Sequence, residues 1–241
     1  MRICYLGVEE RRQYLQALAA PGTIVDNMAD YVPKNPKPIS IESLYEEYMS
    51  TPRLFEMVVE AERRGFDAVL TGCFGDPGVD AARELVSIPV IGPGEASLHT
   101  ACMLGYRFSI ICPIDTTVRP TRIQVVKAGL ESRLASLRSL NESIVSIRQG
   151  SEATYRKLHD IAQACVKEDG ADVVILGCAS LAFAFGDRLA SEVGFPVING
   201  LKLSLKIAEM LVGAGLSHSK LAYPFPPKLQ EHGLLGHDAR Q

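Results

Sequence analysis

An internal repeat is the feature that most constrains the fold of this chain. Residues 65–73 (GFDAVLTGC) resemble residues 170–178 (GADVVILGC), 105 positions further on. Two more pairs of segments flank this match in the same order and at nearly the same offset: residues 2–6 with 107–111, and residues 88–91 with 195–198. Three ordered matches predict that the two halves of the chain are built alike.

Each half alternates short apolar runs with longer helical patterns. The first half predicts strands at 2–7, 67–71 and 89–91 and helices at 52–64, 79–86 and 95–104. The second half predicts strands at 107–112, 172–176 and 196–198 and helices at about 117–129, 152–168, 180–192 and 201–213. Asp76 is predicted to cap the helix that follows it, with Pro77 in the first turn. Such alternation is typical of parallel sheets with right-handed crossovers.

The expected fold is therefore α/β, with two similar lobes related by a pseudo-two-fold axis and the site between them. Each lobe is predicted to be a parallel four-stranded sheet flanked by helices. The first lobe is expected to span residues 1–105, completed by about 200–241, and the second to span 106–199. Residues 20–51 are predicted to be a long connection unique to the first half, of the kind that often forms lids or binding loops. An extended strap is expected after Ser217.

Charge and hydropathy exclude several classes of partner. The 241 residues carry 25 basic and 28 acidic side chains, which gives no electrostatic reason to expect nucleic acid or an anionic membrane as a partner. No stretch approaches the roughly 20 apolar residues that span a bilayer, and no signal peptide is recognisable. A cytoplasmic location and a small-molecule partner are therefore expected.

Two of the six cysteines occupy equivalent positions of the repeat. Cys73 and Cys178 each follow a glycine, end a predicted strand and precede a predicted helix. Ligands of open α/β sheets bind at the carboxyl ends of strands, and a helix N-terminus lowers the pKa of a nearby thiol. The two thiols are thus predicted to face one cleft with lowered pKa values. The other four are predicted to lie in the core: Cys4, Cys102, Cys112 and Cys165.

Paired thiols suit the inversion of a stereocentre. One thiolate would remove a proton from an acidic carbon and the other thiol would return one to the opposite face, which is general acid–base catalysis. Backbone amides at the strand ends would stabilise the enolate-like intermediate. This chemistry needs no cofactor, and the scattered cysteines and histidines predict no metal site.

Several motifs carry a family resemblance. They are the run Gly72-Cys73-Phe74-Gly75-Asp76-Pro77-Gly78, then Asp80-Ala81-Ala82-Arg83-Glu84, Pro89-Val90-Ile91-Gly92, Leu176-Gly177-Cys178-Ala179 and Ser40-Ile41-Glu42-Ser43. With them the sequence resembles the aspartate/glutamate/hydantoin racemase superfamily, most closely its hydantoin racemase branch. The resemblance implies a cofactor-independent racemase of an amino-acid derivative or cyclic ureide. It also implies that Cys73 and Cys178 are catalytic and that the protein is a homo-oligomer. Residues expected to contact the substrate are Ile41, Phe74, Gly75, Cys112, Pro113, Ala179 and Ser180.

The sequence departs from the branch at positions that hold the ligand. An Asn-Pro-Asn-Thr turn is replaced by Gly7-Val8-Glu9-Glu10, a Thr-Thr pair by Cys112-Pro113, a Gly by Ser180 and an Asp by Asn199. Changed polar groups in a buried site alter substrate discrimination strongly. Two alternatives therefore stand beside the racemase: a decarboxylase or cis–trans isomerase of a small carboxylic acid on the same fold, and a catalytically silent small-molecule binding protein.

Overall fold

Two four-stranded parallel sheets form the framework of the molecule. The structure is a computed structural model, and it describes residues 1–36 and 40–231. The first sheet contains β1 (Arg2–Tyr5), β2 (Ile24–Asp26), β3 (Ala68–Leu70) and β4 (Val90–Ile91). The second contains β5 (Phe108–Cys112), β6 (Leu134–Ser139), β7 (Val173–Leu176) and β8 (Val197–Ile198). Their strand orders are β2-β1-β3-β4 and β6-β5-β7-β8, so the two lobes share one topology and the predicted α/β fold is confirmed.

The pairing register follows the sequence repeat. In the first sheet Ile3 of β1 lies beside Ala68 of β3, and in the second Phe108 of β5 lies beside Val173 of β7. Each residue of the second pair stands 105 positions after its counterpart in the first. The central strands are buried on both faces, which is why they are continuous apolar runs in the sequence.

Helices cover both sheets. They are α1 (Glu9–Leu18), α2 (Leu44–Arg63), α3 (Val79–Leu85), α4 (Pro93–Leu104), α5 (Val118–Lys127), α6 (Ile144–Arg148), α7 (Glu152–Lys167), α8 (Ala179–Glu192), α9 (Gly200–Gly213) and α10 (Pro227–Glu231). No helix among the described residues is long and apolar enough to cross a membrane.

The prediction of one long connection over residues 20–51 is wrong. This segment contains β2 and the first turns of α2, which begins at Leu44 rather than at residue 52. Pro52 lies inside α2 and has no N–H to donate to the carbonyl of Tyr48. The hydroxyl of Thr51 donates to that carbonyl at 2.8 Å instead. The helix therefore continues through a proline that, in the sequence, indicates a helix start.

The chain returns to the first lobe through α9. Leu201, Leu205 and Ala208 pack in the same buried cluster as Ile3 and Leu70 of the first sheet. The predicted boundaries of the two lobes stay predictions, and residues 232–241 lie outside the described residues.

The segment after α9 is not wholly extended, because it contains α10. It is tied to the first lobe by Lys220, whose ammonium donates to the carbonyls of Arg83 and Val86 at 2.6 Å each.

Candidate active site

A cavity of about 200 Å³ lies where the carboxyl ends of the two sheets face each other. Cys73 follows β3 and Cys178 follows β7, and both line its wall. The cavity draws on both lobes, because it is also lined by Gly7 and Gly72 of the first and by Pro113 and Gly177 of the second. The repeat therefore brings its two equivalent cysteines to the wall of one cavity.

Backbone N–H groups interact with the sulfur atoms of both cysteines. Cys178 is the N-cap of α8, and its Sγ accepts a hydrogen bond from the backbone N–H of Ser180 at 3.3 Å. The backbone N–H of Gly75 interacts with the sulfur of Cys73 in the same way and lowers its pKa. Two amide-backed thiols in one wall can take up and release protons at a ligand held between them.

The expectation of lowered thiol pKa values is wrong. Burial raises the pKa of both Cys73 and Cys178, and the amides offset only part of this rise. The charges nearby differ: the carboxylate of Glu47 raises the pKa of Cys73 further, whereas the guanidinium of Arg11 lowers that of Cys178. Burial dominates because a thiolate loses its water in this cavity.

Asp76 caps a different helix from the one predicted. α3 begins at Val79 with Gly78 as its N-cap. Asp76 instead accepts hydrogen bonds from the N–H groups of Gly94 (3.1 Å) and Glu95 (2.6 Å) in the first turn of α4. The backbone of Asp76 is left-handed, with φ at 50°, and this turns the carboxylate away from its own helix.

The turn from Cys73 to Asp76 is also fixed by the second lobe. The side-chain amide of Gln124, in α5, donates to the carbonyl of Phe74 at 2.9 Å and to the carboxylate of Asp76 at 3.2 Å. The position of the Cys73 thiol therefore depends on contacts between the lobes.

Asp76 should make stability depend on pH. Burial raises its pKa to about 7, above the roughly 3.9 of an unfolded aspartate. Between these values the folded state keeps a proton that the unfolded chain releases. The contribution of Asp76 to stability is therefore fully present below about pH 4 and is lost as the pH rises to about 7. Urea unfolding at several pH values should show this fall as a shrinking difference in the free energy of unfolding between the unmodified protein and Asp76→Asn. The opposite contribution of His218, whose pKa burial lowers to about 4, is common to both proteins. The control variant Asp160→Asn, at an exposed position, should unfold with the same pH dependence as the unmodified protein. Parallel curves for the unmodified protein and Asp76→Asn would contradict the raised pKa of Asp76.

Most of the predicted substrate contacts lie at the cavity. Its wall includes the following predicted residues: Ile41, Phe74, Gly75, Pro113, Ala179 and Ser180. Cys112 is not part of that wall, since its side chain is fully buried and its thiol donates to the Thr121 hydroxyl at 3.6 Å. Burial also raises the pKa of this thiol to about 11.

Sequence reasoning missed several polar groups of the cavity. The wall also contains Arg11, Glu47, Arg53, Thr71, Thr117, Thr121 and Arg148. Arg11 lies on α1 and Glu47 on the early turns of α2, two segments that the sequence did not predict as helical. Within residues 1–36 and 40–231, no three His, Cys, Asp or Glu side chains are grouped so that they could hold a metal ion.

Comparison with known proteins is consistent across sequence and fold. Residues 12–208 match the model of a family described as Asp/Glu/Hydantoin racemase. The chain is 37% identical over 199 residues to a hydantoin racemase of Pseudomonas sp. (strain NS671), covering 82% of this chain and 80% of that protein. It is 35% identical over 219 residues to a hydantoin racemase of Paenarthrobacter aurescens, covering 89% of this chain and 90% of that protein. An allantoin racemase structure from Klebsiella pneumoniae superposes with a TM-score of 0.85 at 30% identity, covering 94% of each chain.

Proposed function

Since the chain belongs to the Asp/Glu/Hydantoin racemase family, we propose that it racemises a cyclic ureide of the hydantoin type with Cys73 and Cys178 as the two proton carriers. The observation that carries the proposal is the position of these thiols. They end equivalent strands of the two lobes, they share one cavity wall, and the charge of Cys178 contributes to the raised pKa of Cys73. Relatives that act on hydantoins and allantoin support the substrate class.

The proposed reaction moves one proton off the stereocentre and another onto it. The thiolate of one cysteine takes the proton from the ring carbon between the carbonyl and the nitrogen. The electron pair of the broken C–H bond moves onto the carbonyl oxygen, giving an enolate. The thiol of the second cysteine then gives its proton to the opposite face, and the electron pair returns to form the new C–H bond. Proton exchange with water restores the starting protonation of both sulfurs.

The high thiol pKa values fit this chemistry. The carbon acid is weak, and a sulfur of raised pKa is a stronger base once it has lost its proton. The thiol that donates must be neutral, which burial favours. In this proposal, backbone N–H groups of the turns after β3 and β7 that do not hold the sulfurs bind the enolate oxygen, as in other sites that stabilise oxyanions.

Deuterium exchange tests the proposed reaction. Single enantiomers of a 5-substituted hydantoin and of allantoin are incubated with the protein in deuterated water. We expect optical rotation to decay to zero while proton NMR shows deuterium entering at the stereocentre. Samples without protein measure the spontaneous rate. Absence of exchange with every ureide, combined with release of carbon dioxide from a malonate, would overturn the proposal in favour of a decarboxylase.

A further inference from the structure

One buried cation of the cavity has no acidic partner. Arg11, on α1, is 9% exposed and lines the wall. Its Nη2 donates to the hydroxyl of Ser180 across the two lobes at 2.7 Å. Among the described residues no carboxylate lies within ion-pair distance of it, whereas the neighbouring Arg12 is paired with Glu9 at 2.8 Å. A guanidinium has five N–H donors, and the neutral hydroxyls of Ser180 and Tyr5 leave most of them unused.

The burial of Arg11 is poorly compensated by the protein itself. The ring of Phe183 lies 5.8 Å from the guanidinium carbon, which gives a modest cation–π attraction. A buried charge that lacks a counter-ion is costly, and an anion from a ligand would offset that cost. The position on the cavity wall allows such an anion to reach it.

Two buried hydroxyl groups keep O–H donors that the described part of the chain leaves unused. The Oγ1 of Thr71, on the cavity wall, makes no hydrogen bond, and the hydroxyl of Tyr5 interacts with the Arg11 side chain but donates to no acceptor. The Tyr5 side chain fills the space that the missing side chain of Gly7 leaves. A Cβ on Gly7 would lie 2.4 Å from the Tyr5 hydroxyl oxygen. Burial raises the pKa of Tyr5, and the nearby charge of Arg11 opposes that rise. Unsatisfied donors beside a cation form a site that suits an anion.

The charges of the cavity favour a negative ligand. The charged side chains that line it, over the described residues, are Arg11, Arg53, Arg148 and Glu47. The lining therefore has more basic than acidic side chains, and Arg11 is the buried one among the basic side chains. A hydantoin ring is neutral before it reacts, so a negative charge on the bound substrate, as distinct from the enolate formed later, must come from a substituent.

We propose that Arg11 binds a carboxylate of the substrate, and hence that the protein selects hydantoins whose C5 substituent ends in a carboxylate. This inference rests on the proposed racemase function and names the substrate class within it. A carboxylate matches the planar fork of a guanidinium and can be held by two parallel hydrogen bonds. Arg11 contacts Ser180, two residues after Cys178, so the carboxylate would be held beside this thiol, and a short substituent of about one or two carbons is expected.

Two nearly isosteric substrates test the selection. Racemisation of 5-(carboxymethyl)hydantoin is compared with that of 5-(carbamoylmethyl)hydantoin, which replaces the carboxylate by a neutral amide. The unmodified protein should prefer the carboxylate by at least about tenfold in kcat/KM, mainly through KM. In Arg11→Met this ratio should fall to about one. Arg12→Met, on the same helix but facing Glu9, should keep the ratio of the unmodified protein.

Failure of the inference is separable from failure of the proposed function. Calorimetric titration of the same two compounds measures binding without turnover, and the carboxylate should bind at least about tenfold more tightly to the unmodified protein than to Arg11→Met. If no hydantoin is racemised, the function fails and the titration still decides the role of Arg11. Equal kcat/KM or equal affinity for the two compounds in the unmodified protein would overturn the inference, as would a preference that persists in Arg11→Met. Arg11→Gln, which also removes the charge, replaces Arg11→Met if that variant does not fold, and the same loss of the preference is expected.

Discussion

Replacing either Cys73 or Cys178 by alanine is expected to lower the rate of racemisation by about 10³-fold, because proton transfer by a positioned group contributes 10²–10⁴-fold. The two variants should nevertheless differ. Each keeps one thiol, which can still remove the proton on its own face and return a solvent deuteron to that face. Cys73→Ala and Cys178→Ala are therefore expected to exchange opposite enantiomers with retention of configuration. Chiral chromatography measures inversion, and proton NMR in deuterated water measures exchange.

A cysteine outside the cavity serves as the control. Cys102 lies on α4 and does not line the cavity wall, so Cys102→Ala should racemise at the unmodified rate. Full racemisation by either Cys73→Ala or Cys178→Ala would show that a two-thiol mechanism is not used. Exchange of the same enantiomer by both variants would show that the thiols do not serve opposite faces.

The second large effect is expected at Gly94, where α4 meets the Cys73 turn. A Cβ there would lie 2.0 Å from the carbonyl oxygen of Phe74 and 2.1 Å from Nε2 of Gln124. The carbonyl belongs to the backbone and cannot rotate away, so α4 and the turn must separate. Gly94→Ala should lower the free energy of unfolding by about 3 kcal/mol, as overpacking of a close contact does. The displaced thiol should reduce kcat by about 100-fold, a typical cost of misplacing a catalytic group by about 1 Å.

Another helical glycine provides the comparison for Gly94. A Cβ on Gly213, the last residue of α9, would meet no atom within 4 Å. Gly213→Ala should therefore raise the free energy of unfolding by at most about 1 kcal/mol, through helix propensity, and leave kcat unaltered. Chemical denaturation and initial-rate measurements on both variants decide the matter. A Gly94→Ala protein as stable and active as the unmodified one would mean that the contact can relax freely.

The central strands could be predicted from sequence because they are buried on both faces. Such strands appear in the sequence as continuous apolar runs, and the internal repeat indicates which run of the first half corresponds to which run of the second. The edge strands left much weaker signals: β6 is half-exposed along its whole length and β2 has three residues. α1 buries Arg11 and Leu15 of its ten residues and is otherwise dominated by polar side chains. Its periodicity is accordingly too faint to indicate a helix.

The candidate site likewise contains residues that the sequence repeat identifies and residues that only the packing of the folded chain brings to the cavity. Cys73 and Cys178 were predicted because they recur at equivalent positions. Arg11 gave no signal, since in the sequence it looks the same as Arg12 beside it. Only the folded chain buries the first and leaves the second in an ion pair with Glu9. The capping partner of Asp76 was likewise hidden, because it lies 18 residues away in the chain.

The position of α9 has a consequence for biosynthesis. The helix that covers Ile3 and Leu70 of the first sheet is translated only after every strand of both lobes. While the ribosome is still making the second lobe, the apolar face of the first is open to water and to chaperones. The second sheet, from β5 to β8, packs against Leu98 and Ala101 of α4, which precedes it in the chain, so these partners are already made when β8 emerges. We therefore expect the earlier half of the chain to finish folding last, and chains that stop before residue 200 to aggregate.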